Sequence, residues 1–222
     1  MEDGSWACVV VLSMPRAASK SAADYLPKTF SLKALREAAA RCHGCDLYKN
    51  ATQTVFGEGT ARAKLMFVGE QPGDSEDRQG HPFVGPAGTL LRKAMQQAGI
   101  DPREVYITNA VKHFKYIERG KRRIHQKPKV IEIQACVPWL AAEIEVVRPQ
   151  VVVALGATAA QAMLGSDFRL TKHRGEVLSS ELAPRVIATV HPSSILRARD
   201  DETRHIEMAM FIEDLKHIAE MV

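Results

Sequence analysis

The sequence predicts an α/β protein of three layers, with helices over both faces of a mostly parallel central sheet. Two observations carry that reading. Four short runs of strand character, KLMFVG (64–69), VYITNA (105–110), VVVAL (151–155) and RVIATV (185–190), alternate with helical patterns. Strands separated by helices return by crossovers, which set them side by side in parallel with helices on the faces. The second observation is bulk. The chain has 222 residues, 45% hydrophobic and 25% charged, enough for one such domain with a sizeable core.

The elements follow in chain order. Residues 1–30 are rich in Ser and Ala and weakly patterned, so they read as a flexible leader before a single domain over 31–222. Within the leader, WACVVVLSM (6–14) is shorter than a membrane span. It also lacks the basic flank of a signal peptide, since Glu2 and Asp3 precede it and Arg16 and Lys20 follow. A cytoplasmic protein with no membrane partner is expected. In that reducing compartment its cysteines are ligands or small buried hydrophobes rather than disulfides. Ser31 is placed to cap a helix running to Cys42, with Leu32, Leu35, Ala38 and Ala39 on one face. Helices are expected over 89–99, within 129–147, over 157–164 and over 204–221. Pro138 should kink or divide the long one, or sit near its start.

Sites in parallel α/β sheets gather beyond the carboxyl ends of the strands. GEQPGD (69–74), NAVKH (109–113), GAT (156–158) and HPSS (191–194) each follow one of the four strands, so the polar and Gly-bearing segments share one sheet edge. Each is ambiguous alone. GEQPGD is equally a strand-exit turn or a carboxylate, Glu70, set near developing positive charge. Phe83 in GHPFVGPAGTLL (80–91) is a core plug or a stacking surface for a base. His191 is structural or, with the serines and Arg197 a turn later, part of an anion clamp.

Two further features stand out. CHGC (42–45) has the spacing of a metal or cluster knuckle; Cys136 is a third candidate, and Cys8 lies in the leader. His113 is the best substitute for a fourth cysteine, with His43 geometrically poorer, and spacing does not separate zinc from iron. Segment 112–128 carries Lys112, Lys115, Arg119, Lys121, Arg122, Arg123 and Lys127 against a single acid, Glu118. The net charge of +4 permits an anionic partner without demanding one, so this clustering matters more. The segment is either a solvated loop or a DNA-contacting loop carrying a reactive group, His125.

Taken in order, GEQPGD, GHPFVGPAG, TNAVKH, CVPWL, GATAA and HPSSILR resemble the uracil-DNA glycosylase superfamily, in particular its iron–sulfur branch. The resemblance runs from about Ser31 to the C-terminus and implies the uracil-DNA glycosylase-like fold. The branch has a cysteine where this chain has His113. That departure, with KRRIH intact at 121–125, resembles the UdgX class, which excises uracil and becomes covalently joined to DNA through the loop histidine. The resemblance implies a catalytic set of Glu70, Gln71, His125 and His191, with Gln71 hydrogen-bonding His125. It implies uracil binding by Phe83 and Asn109, with Gly69, Asp74, Ser193 and Arg197 around the substrate, and DNA contacts from Lys121, Arg122 and Arg123. It further implies a four-iron, four-sulfur (4Fe-4S) cluster, rather than zinc, on Cys42, Cys45, His113 and Cys136. Uracil-containing DNA, preferably single-stranded because a flipped base then costs least, is the expected partner of a monomer. The alternatives are a hydrolytic glycosylase with multiple turnover and a non-catalytic DNA-binding iron–sulfur protein. A nucleotide-binding protein fits poorly, because no dinucleotide fingerprint or Walker-type GK[ST] is present.

Overall fold

The computed structural model describes residues 20–222, and the expectations for the leader up to residue 19, including Cys8, lie outside them. The elements, in order, are α1 (Leu32–Ala39), β1 (Glu58–Gly59), β2 (Leu65–Gly69), α2 (Asp74–Gln79), α3 (Pro86–Gln97), β3 (Tyr106–Asn109), β4 (Tyr116–Arg119) and β5 (Arg122–His125). There follow α4 (Val130–Val147), β6 (Val151–Leu155), α5 (Ala157–Leu164), α6 (Leu170–His173), β7 (Val177–Leu178), β8 (Val186–Thr189), α7 (Pro192–Leu196) and α8 (Asp201–Ala219). The six-stranded sheet has the order β1-β3-β2-β6-β8-β7; β3, β2, β6 and β8 are parallel, and the short edge strands are antiparallel.

Side-chain alternation along the strands builds the two faces. Leu65 and Phe67 pack with Leu91, Met95, Phe211 and Leu215 of α3 and α8. Met66 and Val68 pack the other way, with Leu140, Ile144, Ala159 and Met163 of α4 and α5. Strands so buried on both faces read as continuous apolar runs, which is why all four central strands fall where the sequence puts them. Connectivity runs from β2 to β3 on one side and later to β6 on the other, so a crevice opens beyond the carboxyl ends of β2 and β6.

Four expectations change. Ser31 caps α1 as read, its Oγ accepting from Ala34 N at 3.1 Å, but the helix ends at Ala39. Ala22–Tyr25 form a 3₁₀ turn with Ala22 buried, so the packed part begins before residue 31. Pro138 sits mid-way along a continuous α4, neither dividing it nor lying near its start. The basic segment also differs: much of it is a separate antiparallel hairpin, β4–β5, not a loop.

Candidate active site

A cleft of about 670 Å³ lies at that crevice, lined by Glu70, Gln71, Phe83, Asn109, His125, Thr158, His191, Ser193 and Arg197 among others. Each central strand delivers one group. Asn109 closes β3, Glu70 leaves β2, Thr158 opens α5 after β6, and His191 caps α7 after β8.

Asn109 is buried, and its Oδ1 has no hydrogen-bond partner. An orphaned buried carbonyl is costly, and at the wall of a cleft it marks where a ligand donor belongs. Its backbone is fixed from behind: Lys112 Nζ donates to Asn109 O at 2.8 Å and to Thr108 Oγ1 at 2.6 Å. The same ammonium forms a buried ion pair with Glu143, which also accepts from Tyr106 Oη and Gly57 N. Lys112, counted among the basic cluster in the sequence, is thus an internal strut.

Phe83 adopts φ +55°, a left-handed conformation that is strained for a bulky residue. Arg92 holds its carbonyl at 2.9 Å, and its ring centroid is 5.8 Å from that of His191. Two glycines make room for it. A Cβ on Gly88 would lie 1.6 Å from Phe83 O, and one on Gly69 would lie 2.3 Å from Asn109 Oδ1 and 2.7 Å from Phe83 Cζ. Gly69 is thus required to leave room for the Asn109 and Phe83 side chains. Glu76, which sequence reasoning missed, braces both flanking loops by accepting from Gly73 N and Gly85 N.

His191 accepts from Ser193 N at Nδ1 (3.1 Å), which leaves Nε2 as the protonated nitrogen. Burial pushes its pKa down to about 4, against the opposing pull of Glu70. It is a neutral imidazole at physiological pH, and it has an N–H to donate. Burial raises the Glu70 carboxyl, but hydrogen bonds from His125 and Thr158 outweigh this and hold it below its ordinary value. Thr158 was not singled out in the sequence; the GAT turn after a strand was its only signal. His125 is exposed at the mouth, its Nε2 3.3 Å from Glu70 Oε1.

The hairpin that carries His125 is bolted down. Gln71 does not bond the imidazole as expected. Its amide instead clamps the two ends of the hairpin, accepting from Lys115 N (3.1 Å) and donating to Gln126 O (3.0 Å). Arg123 and Asp74 are corrections as well. Arg123 is not presented to DNA: it pairs with Asp74 and with the fully buried Asp77, and it lies over the rings of Phe114 and Tyr116. Asp74 is outside the cleft lining, spent on Arg123 and Arg78. Lys121 and Arg122 remain exposed, with no ion-pair partner among the described residues.

Cys42, Cys45 and Cys136 are free thiols that pack into one apolar cluster with Val111 and Trp139. Lys112 N, one residue before His113, donates to Cys136 Sγ at 3.3 Å. Thr54 Oγ1 donates its proton to Ala39 O and therefore accepts from His113 Nε2–H at 2.9 Å, leaving the Nδ1 lone pair free. Burial lowers the His113 pKa to about 4, so the ring is neutral and ligand-competent. Burial raises the Cys136 thiol to about 12, so binding a metal there would release its proton. Among the described residues no three His, Cys, Asp or Glu side chains converge on a single-ion site. The donor set, three soft sulfurs and one imidazole, fits a larger iron–sulfur cluster chemically.

The profile of the Uracil DNA glycosylase superfamily matches residues 56–216, which span every cleft residue named above. The chain belongs to the uracil-DNA glycosylase superfamily. It is 39% identical over 176 residues to the type-4 uracil-DNA glycosylase of Thermotoga maritima, covering 79% of this chain and 88% of that protein. It is 34% identical over 173 residues to the type-4 uracil-DNA glycosylase of Pyrobaculum aerophilum (75% and 85%) and 36% identical over 162 residues to that of Archaeoglobus fulgidus (70% and 78%). Among the described residues no helix is long and apolar enough to cross a membrane.

Proposed function

We propose that this protein excises uracil from DNA and then joins itself, through His125, to the sugar that has lost its base. Membership of the superfamily and the type-4 relatives support the excision. A flipped uracil stacks on Phe83. It presents its N3–H to the unpartnered Asn109 Oδ1, and an oxygen to His191 Nε2–H. As the C1′–N1 bond breaks, its electron pair leaves on uracil. A preorganised neutral N–H donor stabilises the oxygen on which that charge collects. Glu70, ionised, faces the cationic sugar.

The observation that carries the covalent step is the 3.3 Å approach of His125 Nε2 to Glu70 Oε1. Glu70 takes the Nε2 proton, the freed lone pair forms the new bond to C1′ as the C1′–N1 bond breaks, and Glu70 then releases that proton to water while the departing uracil anion takes one up from water. A nucleophile held at the mouth by the Gln71 clamp and the Arg123 anchor has a large effective-concentration advantage over water. No group then removes the imidazole from the sugar, so each protein turns over once. The match to the type-4 enzymes favours a second reading, in which water attacks C1′ and His125 serves as a DNA contact.

Cys42, Cys45, His113 and Cys136 would hold a 4Fe-4S cluster, which when bound would tie the segment after α1 to α4 and the loop after β3. The substrate is uracil-containing DNA, preferably unpaired.

The test is a denaturing gel after heating the protein in detergent with a labelled uracil-containing single-stranded oligonucleotide. A slow band that survives heat, vanishes with thymine in place of uracil, and is lost in His125→Ser while free uracil is still released supports the covalent reading. Equal crosslinking by His125→Ser would sink it. Free oligonucleotide that breaks under alkali, with no slow band, would establish hydrolysis.

A further inference from the structure

The β4–β5 hairpin has two faces, and the ones that anchor it and arm it are the same. Cross-strand partners share a face, so Tyr116/His125 and Glu118/Arg123 lie on one side and Ile117/Ile124 and Arg119/Arg122 on the other. The first side is committed: Arg123 to Asp74 and Asp77, His125 to Glu70, and Tyr116 Oη to Asn50 O. The second side is bare. Ile117 is 51% exposed and Ile124 39%, although they stand directly opposite each other and isoleucine is ordinarily a core residue. Arg119 and Arg122 on the same side have no ion-pair partner among the described residues. The ribbon is separate from the main sheet, and among the described residues no further strand pairs with it.

We infer that this outer face is a platform for unpaired DNA flanking the nucleotide in the cleft, with the Ile117–Ile124 ridge against bases and Arg119 and Arg122 on phosphates. The chemistry selects the occupant. An unpaired strand offers flat apolar bases beside an anionic backbone, and the face offers an apolar ridge beside two guanidinium groups. A duplex hides its bases and would engage only the cations. The position agrees, because His125, at the base of the same hairpin, marks the mouth of the cleft. The inference rests on the DNA-glycosylase reading.

The test measures fluorescence anisotropy of the full chain with a labelled thymidine-only oligonucleotide and with the matching duplex, over a range of salt concentrations. The double substitution Ile117→Thr/Ile124→Thr keeps β-branching and removes the apolar ridge. Through the loss of apolar surface buried against bases, it is expected to weaken single-strand binding about tenfold, with unchanged salt slope and duplex affinity held within about twofold. Ile117→Val/Ile124→Val should restore tight binding, which a merely misfolded hairpin would not predict. Arg119→Gln/Arg122→Gln should lower the single-strand salt slope by about one to one and a half. Single-strand affinity unchanged in the Thr variant, or equal losses on both DNA forms, would overturn the platform. So would a wild-type dimer in sedimentation that the Thr variant dissolves, since the ridge would then be a contact between two copies. The probe contains no uracil, so this outcome is independent of whether the wild type releases uracil from a uracil-bearing strand.

Discussion

Replacing Asn109 by Ala should separate stability from activity. The side chain carries an oxygen without a protein partner at the wall of an open cleft; a wholly unpaired acceptor costs the folded state about 1–3 kcal/mol, and less where water reaches it. Removing it relieves that cost. The truncation enlarges a cleft that is already open, so no closed cavity offsets the gain. The backbone carbonyl that Lys112 holds is untouched. Unfolding stability is therefore expected to stay level or rise by up to about 1 kcal/mol. Uracil release should fall steeply. The one hydrogen bond that Oδ1 accepts from uracil N3–H, at roughly 1–2 kcal/mol, amounts to about 5- to 30-fold in single-turnover rate. Denaturant unfolding and quench-flow or manual single-turnover release measure the two arms. A loss of more than about 1 kcal/mol in stability, or a rate within about threefold of wild type, would refute the reading of Asn109 as a vacant uracil reader.

Three further outcomes are expected. By NMR, His191 should titrate near pH 4 with its proton on Nε2, and titration near its ordinary value would contradict the neutral-donor role. Because its pKa is lowered on folding, the unfolded chain takes up that proton first. Its contribution to stability is thus complete above about pH 6.5 and is lost as pH falls toward 4. Arg123→Met leaves the buried Asp77 carboxylate without its cation, so the melting midpoint should drop by a loss of up to about 3–5 kcal/mol. Crosslinking should suffer more than uracil release, since the hairpin is freed while Asn109 and His191 are not. Thr54→Val should lower iron content and visible absorbance without removing a ligand, because His113 then loses the acceptor that fixes its tautomer; undiminished iron would dismiss that role.

The parts of the molecule legible in the sequence are those dictated by local pattern. VVVAL and LMFVG are apolar without interruption because they are buried on both faces, as a central parallel strand requires. The strand-end rule then gathers Glu70, Asn109 and His191 from the sequence alone, and the cleft holds all three. What escaped was pairing between distant charges. Lys112 and Arg123 read as surface cations because their partners, Glu143 and Asp77, lie 31 and 46 residues away. A cation's burial is decided by the acid it meets, not by its neighbours in sequence. The hairpin escaped for a related reason: YIERGKRRIH alternates weakly and its glycine turn is masked by charge. Gln71 was read as a partner of the imidazole when its amide bonds the backbone on either side of the hairpin.

The most direct test of the central claim is stoichiometric. With uracil-bearing single-stranded DNA in large excess, free uracil should plateau at one per protein molecule, and peptide mapping of the product should place the sugar on His125. Uracil that accumulates linearly beyond one equivalent, with His125 unmodified, would contradict the covalent account and leave a turning-over glycosylase.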